Sequence, residues 1–237
     1  ADASRYMMGA DIGFMNGGGI RAGIEAGDIT YEDALSVFPY GNMICMAEVS
    51  GQKIKDALEM GVKNYPEESG GFIHVSGLTY TVDSSVPSSV VLDEKRNFVS
   101  VGGEYRVRDI YVGEEPLDVN RTYTLASHNY WLKSGGDGMS MLMGCPILKD
   151  ETMVDVDTIT SYISEYLGGT VGDRGGSRSN RIEKKKIPLR VPALLGFRRN
   201  HTVRILKVRK PLVTASGQDL GYRVGSGPFS GAGGRAF

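Results

Sequence analysis

Two glycine-rich stretches hold the residue types that could do chemistry. The first is Met15-Asn16-Gly17-Gly18-Gly19-Ile20-Arg21, after an apolar run from Ala10 to Phe14 that reads as a buried strand. It therefore sits at a strand end. Three consecutive glycines can turn tightly and, lacking Cβ atoms, let a ligand come against backbone N–H groups, with Gly18 and Gly19 as the candidate contacts. Asn16 offers both a donor and an acceptor, and Arg21 a planar cationic fork suited to phosphate or carboxylate. The G-x-G-x-x-G and G-K-[ST] spacings are absent, so the stretch is neither a dinucleotide fingerprint nor a P-loop. Taken alone, it fits a turn with a solvated arginine as well as a backbone held close to an anionic or polar ligand.

The second stretch is His128-Asn129-Tyr130-Trp131-Leu132-Lys133-Ser134-Gly135-Gly136-Asp137-Gly138, which contains the chain's single tryptophan. A third segment, Phe38-Pro39-Tyr40-Gly41-Asn42, must end a helix, because Pro39 disfavours helical geometry in Phe38. It leaves Tyr40 on an exposed turn. Core aromatics are less common on such turns, which leaves Tyr40 and Trp131 open to a ligand, and an ionised Asp137 would be an acceptor-only group. The same residues also fit core aromatics and a turn-closing aspartate. The three histidines, His74, His128 and His201, show no metal-ligand spacing, and Cys45 and Cys145 form neither a metal motif nor a disulfide framework.

These residues need elements to position them. A helix over Ala1–Met8 has no N-terminal cap and starts mid-pattern, as if it continued from earlier sequence. Thr30 to Asp33 carries a capping-box pattern that opens a helix through Val37. Met43–Val49 reads as a strand, and Ser50 caps a helix whose Ile54, Ala57, Leu58 and Val62 form one apolar stripe. Leu78–Val82, Val90–Leu92, Tyr105–Val112 and Thr122–Ser127 read as further strands, and Thr158–Leu167 as a helix. So many strands with few helices between them predict a meandering mixed sheet.

Charge divides the chain. Twelve of its 27 Lys/Arg residues but one of its 28 Asp/Glu residues fall in 184–237, beginning at Lys184-Lys185-Lys186. Residues 1–183 are correspondingly acidic. The basic, Gly-rich tail lacks the interleaved aromatics of a stacking nucleic-acid binder, so nucleic acid is not the expected partner, and the tail is expected to be dispensable for the fold of 1–183. No run of residues approaches the length of a membrane span, and none reads as a signal peptide.

In order and separation, Asn16–Arg21, Asp28-Ile29-Thr30, Phe38–Asn42, Ser50-Gly51 opening a helix, and the aromatic followed by Gly135–Gly138 resemble the C-terminal domain of the 5′-nucleotidase family. That family includes UDP-sugar hydrolases, ecto-5′-nucleotidases and 2′,3′-cyclic-nucleotide phosphodiesterases. The likeness covers essentially 1–183 and stops before the tail. It implies an α+β fold, an α/β/β/α sandwich with mixed sheets, that recognises a nucleotide or nucleoside. A separate N-terminal metallophosphoesterase domain would hold two divalent metals and hydrolyse the phosphoester in nucleotide catabolism. By the same resemblance Tyr40 and Trp131 sandwich the base, Asp137 accepts from the ribose hydroxyls, Asn16 touches base or ribose, and Arg21 lies near the phosphate. No catalytic residue, metal or cofactor is expected in the chain itself, which would be inactive alone. A periplasmic, cell-surface or secreted location is implied. A stand-alone nucleoside-binding module and a basic-tail nucleic-acid binder are the competing readings.

Overall fold

Whether a strand is buried on both faces shows in its composition, and Ile12–Asn16 is buried at every position. The computed structural model describes residues 1–172, 180–183 and 203–205, the last two groups by backbone pairing. In chain order the elements are α1 (Asp2–Met8), β1 (Ile12–Asn16), β2 (Asp28–Ile29), α2 (Tyr31–Val37), β3 (Met43–Ser50) and α3 (Gly51–Gly61). There follow β4 (Ile73–Ser76), β5 (Leu78–Asp83), β6 (Val90–Leu92), β7 (Phe98–Val101), β8 (Val107–Val112) and β9 (Glu115–Pro116). The rest are β10 (Thr122–His128), α4 (Asn129–Leu132), β11 (Ile147–Val154), α5 (Asp155–Ser161), β12 (Thr170–Val171), β13 (Asn180–Glu183) and β14 (Val203–Ile205).

The main sheet has the order β11-β3-β10-β1-β4. β1 runs parallel to β10 and antiparallel to β4, and β3 runs antiparallel to β10 with His128 opposite Ile44. The end of β1, the end of β10 and the start of β3 therefore lie at one end of the sheet. Alternation along β3 separates two cores, as a period of two requires. Cys45 and Ala47 join Ile12, Phe14 and Leu125 in a core shared with α3 and with Leu78, Tyr80, Val82 and Val107 of a second sheet, β13-β5-β8-β9. Ile44 and Met46 face the other way, against Met8, Ala10 and Ala126. The α+β class with mixed sheets is the expected one. Among the described residues, no helix is long and apolar enough to cross a membrane.

Local signals account for several boundaries. The Thr30 capping box is formed in both directions, and the Ser50 hydroxyl accepts from Lys53 N–H at the start of α3. Elsewhere distant partners decide. The last helix begins at Asp155, three residues before the expected Thr158, because the Asp155 carboxylate and N–H both bond to the backbone of Asn42. It is α-helical only through Ser161 and continues as a π-helical turn, Tyr162–Tyr166. Of the basic tail, Val203–Ile205 pairs with β2 and β12; the remainder of 184–237, and with it most of the expectation of a dispensable tail, lies outside the described residues.

Glu59 joins α3 to the second sheet. It is fully buried, and its two carboxylate oxygens accept from the backbone N–H groups of Arg106 (3.1 Å) and Val107 (2.9 Å). Removing the carboxylate would leave two buried donors without partners. Glu59→Ala is expected to destabilise the domain by roughly 2–4 kcal/mol, and Glu59→Gln, which keeps one acceptor, by clearly less. Urea unfolding of the two variants checks the order; equal losses would show that the carboxylate does not bridge α3 and β8.

Candidate functional site

The three strand ends that share one end of the main sheet carry the informative residues. β10 ends at His128, whose side chain caps α4 by accepting from the Trp131 backbone N–H at Nδ1 (3.3 Å). A backbone N–H can only donate, so Nδ1 is the acceptor and the neutral ring holds its proton on Nε2. That proton is donated to Asn16 Oδ1 (3.1 Å), at the end of the neighbouring β1. Burial pushes the His128 pKa down to about 4, against the opposing influence of the Asp137 charge. The ring is thus neutral at ordinary pH.

Asn16, itself buried, passes the order on. Its Nδ2 donates to Asp137 Oδ2 (3.3 Å), and the Trp131 indole Nε1–H donates to the same oxygen (3.0 Å). The Tyr130 hydroxyl donates to Asp137 Oδ1 (3.3 Å) and accepts from the Asp137 N–H (3.2 Å). Burial, with the Asp137 charge adding to it, pushes the Tyr130 phenol pKa up, so the hydroxyl keeps the proton it donates. Asp137 has φ 56°, a left-handed conformation that non-glycine residues rarely adopt and that a surrounding structure must enforce. Here its neighbours enforce it: a chain of hydrogen bonds runs from His128 through Asn16 to Asp137, and Trp131 and Tyr130 close on the same carboxylate. The phenol end of Tyr130 lies across Gly136, where no side chain would fit beneath the ring. Tyr130 nonetheless stays 40% exposed.

Asn16, Trp131 and Asp137 therefore converge, but not in the arrangement expected of a slot. Trp131 is 0% exposed and packs in the main core, so its ring cannot form one wall of an open stacking site. The reason is local: α4 turns successive side chains to different sides, and with His128 capping it, Trp131 faces the core while Tyr130 faces solvent. Tyr40 is 60% exposed on its turn and has no ring contact with Trp131. That turn leads into β3, where Met43 N–H donates to Asn129 Oδ1 (3.2 Å), so it departs from the same sheet end as α4.

The glycine turn also differs from the expectation. Gly17 N–H donates to Phe72 O and Gly18 N–H to Gly70 O, both at 2.8 Å, so these groups hold the turn to the segment before β4 and are not aimed at a ligand. Arg21 is exposed, and its Nη1 donates back to Gly18 O (3.3 Å). Tyr130 and His128 are the participants that sequence reasoning left out. A helical reading of 129–132 would have flagged the first, because neighbours on a helix point about 100° apart, so an aromatic beside one turned into the core is turned toward solvent.

A family model described as 5′-nucleotidase, C-terminal domain, matches residues 1–144. The chain belongs to that family. It is 34% identical over 180 residues to the trifunctional nucleotide phosphoesterase protein YfkN of Bacillus subtilis, covering 76% of this chain and 11% of that protein. To a 5′-nucleotidase of Vibrio parahaemolyticus it is 31% identical over 157 residues, 66% of this chain and 24% of the relative. Among solved structures, the 5′-nucleotidase precursor from Thermus thermophilus superposes with a TM-score of 0.65 at 28% identity, over 78% of this chain and 34% of that one. The chain thus spans between a tenth and a third of the length of these relatives. Among its described residues, no three His, Cys, Asp or Glu side chains converge as a metal centre would need.

The His128 pKa sets a stability window for this 5′-nucleotidase-type domain. The unfolded ring takes a proton near its ordinary 6.5, the folded ring only near 4. Between those values the unfolded state binds more protons, so the contribution is fully present above about pH 6.5 and is lost as the pH falls toward 4. At pH 4.5 the loss relative to pH 7.5 is on the order of 2–3 kcal/mol. In His128→Asn, which retains a helix-capping side chain, the fall in stability between these two pH values is expected to be smaller by that amount. Identical pH dependence in urea unfolding would contradict the assignment of a buried neutral ring.

Proposed function

We propose that this domain recognises the nucleoside part of a nucleotide for a metal-dependent phosphoesterase of the 5′-nucleotidase type. The hydrolytic metal centre, with two divalent ions, would lie in a metallophosphoesterase domain outside these residues. The observation that carries the reading is the half-exposed Tyr130 ring fixed beside the Asp137 carboxylate. An ionised carboxylate has about four acceptor sites, and Asn16, Trp131 and Tyr130 use three of them. One site on Oδ1 is left for a sugar hydroxyl; a second hydroxyl would have to displace Tyr130. The arrangement favours one strong sugar contact with a base laid on an adjacent aromatic face.

Tyr40 supplies a second exposed ring from the turn before β3, and Arg21 an exposed guanidinium beside the glycine turn. In this reading Asn16 positions Asp137, and Trp131 supports it from the core. Holding base and ribose in one orientation lowers the entropic part of the barrier for a phosphoester carried into a metal site elsewhere. The membership of the family, and relatives whose names are those of nucleotide phosphoesterases, support this division of labour. The role would belong to nucleotide catabolism, and the resemblance supports a location in the periplasm, at the cell surface or outside the cell. The chain by itself should release no phosphate from nucleotides with added divalent metals.

Calorimetric titration with adenosine tests the reading. Tyr130→Ala is expected to lose roughly 1–3 kcal/mol of affinity, because stacking on an aromatic face has about that value. Tyr130→Phe should keep most of it. Asp137→Asn should weaken ribonucleosides more than analogues lacking a sugar hydroxyl. Unchanged adenosine binding in both Tyr130→Ala and Asp137→Asn would remove the proposed site.

A further inference from the structure

Beside Asp137 lies an open pocket of about 400 Å³, a size usual for small-ligand sites, and its walls are unusually cationic. Lys63, Lys95, Arg96 and Asn97 line it together with the Gly135–Gly138 turn. The cations come from two places in the fold. Lys63 follows the end of α3. Lys95 and Arg96 sit at the tip of the β6–β7 hairpin, which Asp93 builds. Its Oδ1 accepts from Lys95 N–H (2.9 Å) and Asn97 N–H (2.7 Å), its Oδ2 from Asn97 Nδ2 (3.0 Å), and its carbonyl from Arg96 N–H (2.9 Å). Arg96 takes a left-handed φ of 65° in this tip, and its carbonyl lies where a side chain at Gly138 would stand. The hairpin is thereby pressed onto the Gly135–Gly138 turn, and its cations are delivered to one pocket.

No carboxylate of the described residues pairs with these cations at contact distance. The ion pairs among those residues are made by Arg108 and Lys133; the heads of Lys63, Lys95 and Arg96 form none. Asp137 contributes the pocket's negative charge, and that charge is already met by donors from Asn16, Trp131 and Tyr130. Lys63 feels its surroundings: burial lowers its pKa most, Asp137 opposes this, and the Arg96 charge lowers it further. Lys95 and Arg96 are exposed and Lys63 half-buried, and an anion set among the three would relieve the repulsion that Lys63 feels from Arg96. A guanidinium fork and two ammonium groups are the donor set that phosphate oxygens accept from.

We propose that Lys63, Lys95 and Arg96 form an anion subsite beside Asp137 that takes a phosphate group. The inference deepens the nucleoside reading and rests on it in one respect. If Asp137 holds a sugar hydroxyl, the subsite lies on the hydroxyl side of the sugar and receives a phosphate carried at the 2′ or 3′ oxygen. The same chemistry would hold free inorganic phosphate, and the experiment separates the two sources.

The chain is titrated at low ionic strength with inorganic phosphate alone, with adenosine and with adenosine 3′-monophosphate. The wild type is compared with Lys63→Gln/Lys95→Gln/Arg96→Gln. Inorganic phosphate is expected to bind the wild type at least about tenfold more tightly than the triple variant, the sum of three modest charge contacts. The advantage of adenosine 3′-monophosphate over adenosine should reach about tenfold in the wild type and fall to near unity in the variant. If inorganic phosphate is lost in the variant but the 3′-phosphate gives no advantage, the subsite stands and serves free phosphate. If adenosine fails to bind while phosphate still titrates against the three cations, the nucleoside reading falls and the subsite survives. Lys95→Gln alone, at an exposed tip, should lose about threefold in phosphate affinity with an unchanged melting temperature, which guards against a folding defect in the triple variant. Equal phosphate affinity in wild type and both variants overturns the proposal.

Discussion

The buried amide of Asn16 is the constraint on which the functional end of the domain depends. It lies at the end of a fully buried strand, where an unpaired polar group would be unfavourable by a few kcal/mol. Its oxygen needs a donor and its nitrogen an acceptor, and the fold supplies one of each: His128 Nε2–H on one side and Asp137 Oδ2 on the other. The requirement fixes more than a side chain. β1 must lie parallel to β10 in its observed register for Asn16 to meet His128, since a one-residue slip would turn Asn16 to the other face of the sheet. His128 must in turn be neutral, and its capping of α4 decides that Trp131 points inward and Tyr130 outward.

The Gly135–Gly138 turn is the meeting place of three separate demands. Asp137 must reach Asn16 and the Trp131 indole. Gly136 must be bare for the Tyr130 ring to lie across it. Gly138 must be bare for the β6–β7 hairpin to close on the turn. An exposed aromatic ring, an oriented carboxylate and a group of cations are thus assembled on rigid neighbours, with little left to order when a ligand arrives. Such preorganisation is what a recognition domain can contribute to a reaction carried out elsewhere.

Much of this was legible in the sequence, and the parts that were not have physical causes. The Thr30 capping box, the Ser50 cap, the buried strand before Asn16 and the glycine turns are local signals, and the motifs in order identified the family. Residue types alone also singled out Asn16, Trp131 and Asp137, which do converge. What failed was orientation. Trp131 matches an expected stacking aromatic by spacing, yet a four-residue helix capped by His128 buries it and presents its neighbour. The glycine N–H groups looked available because their partners, the carbonyls of Gly70 and Phe72, lie far along the chain. β11 escaped notice because most of its residues are exposed and its pairing with β3 is irregular, so it has no alternation to read.

A neutral, Nε2-protonated His128, acting through Asn16, and a buried Trp131 indole hold the Asp137 carboxylate in place. Nitrogen-15 NMR of the His128 ring and the Trp131 indole at about pH 6, below the ordinary histidine pKa and well above the folded one, tests this directly. The expected result is a neutral ring with its proton on Nε2 and an indole N–H protected from solvent exchange. An imidazolium ring at that pH, a proton on Nδ1, or an indole N–H that exchanges as freely as an exposed one would contradict it.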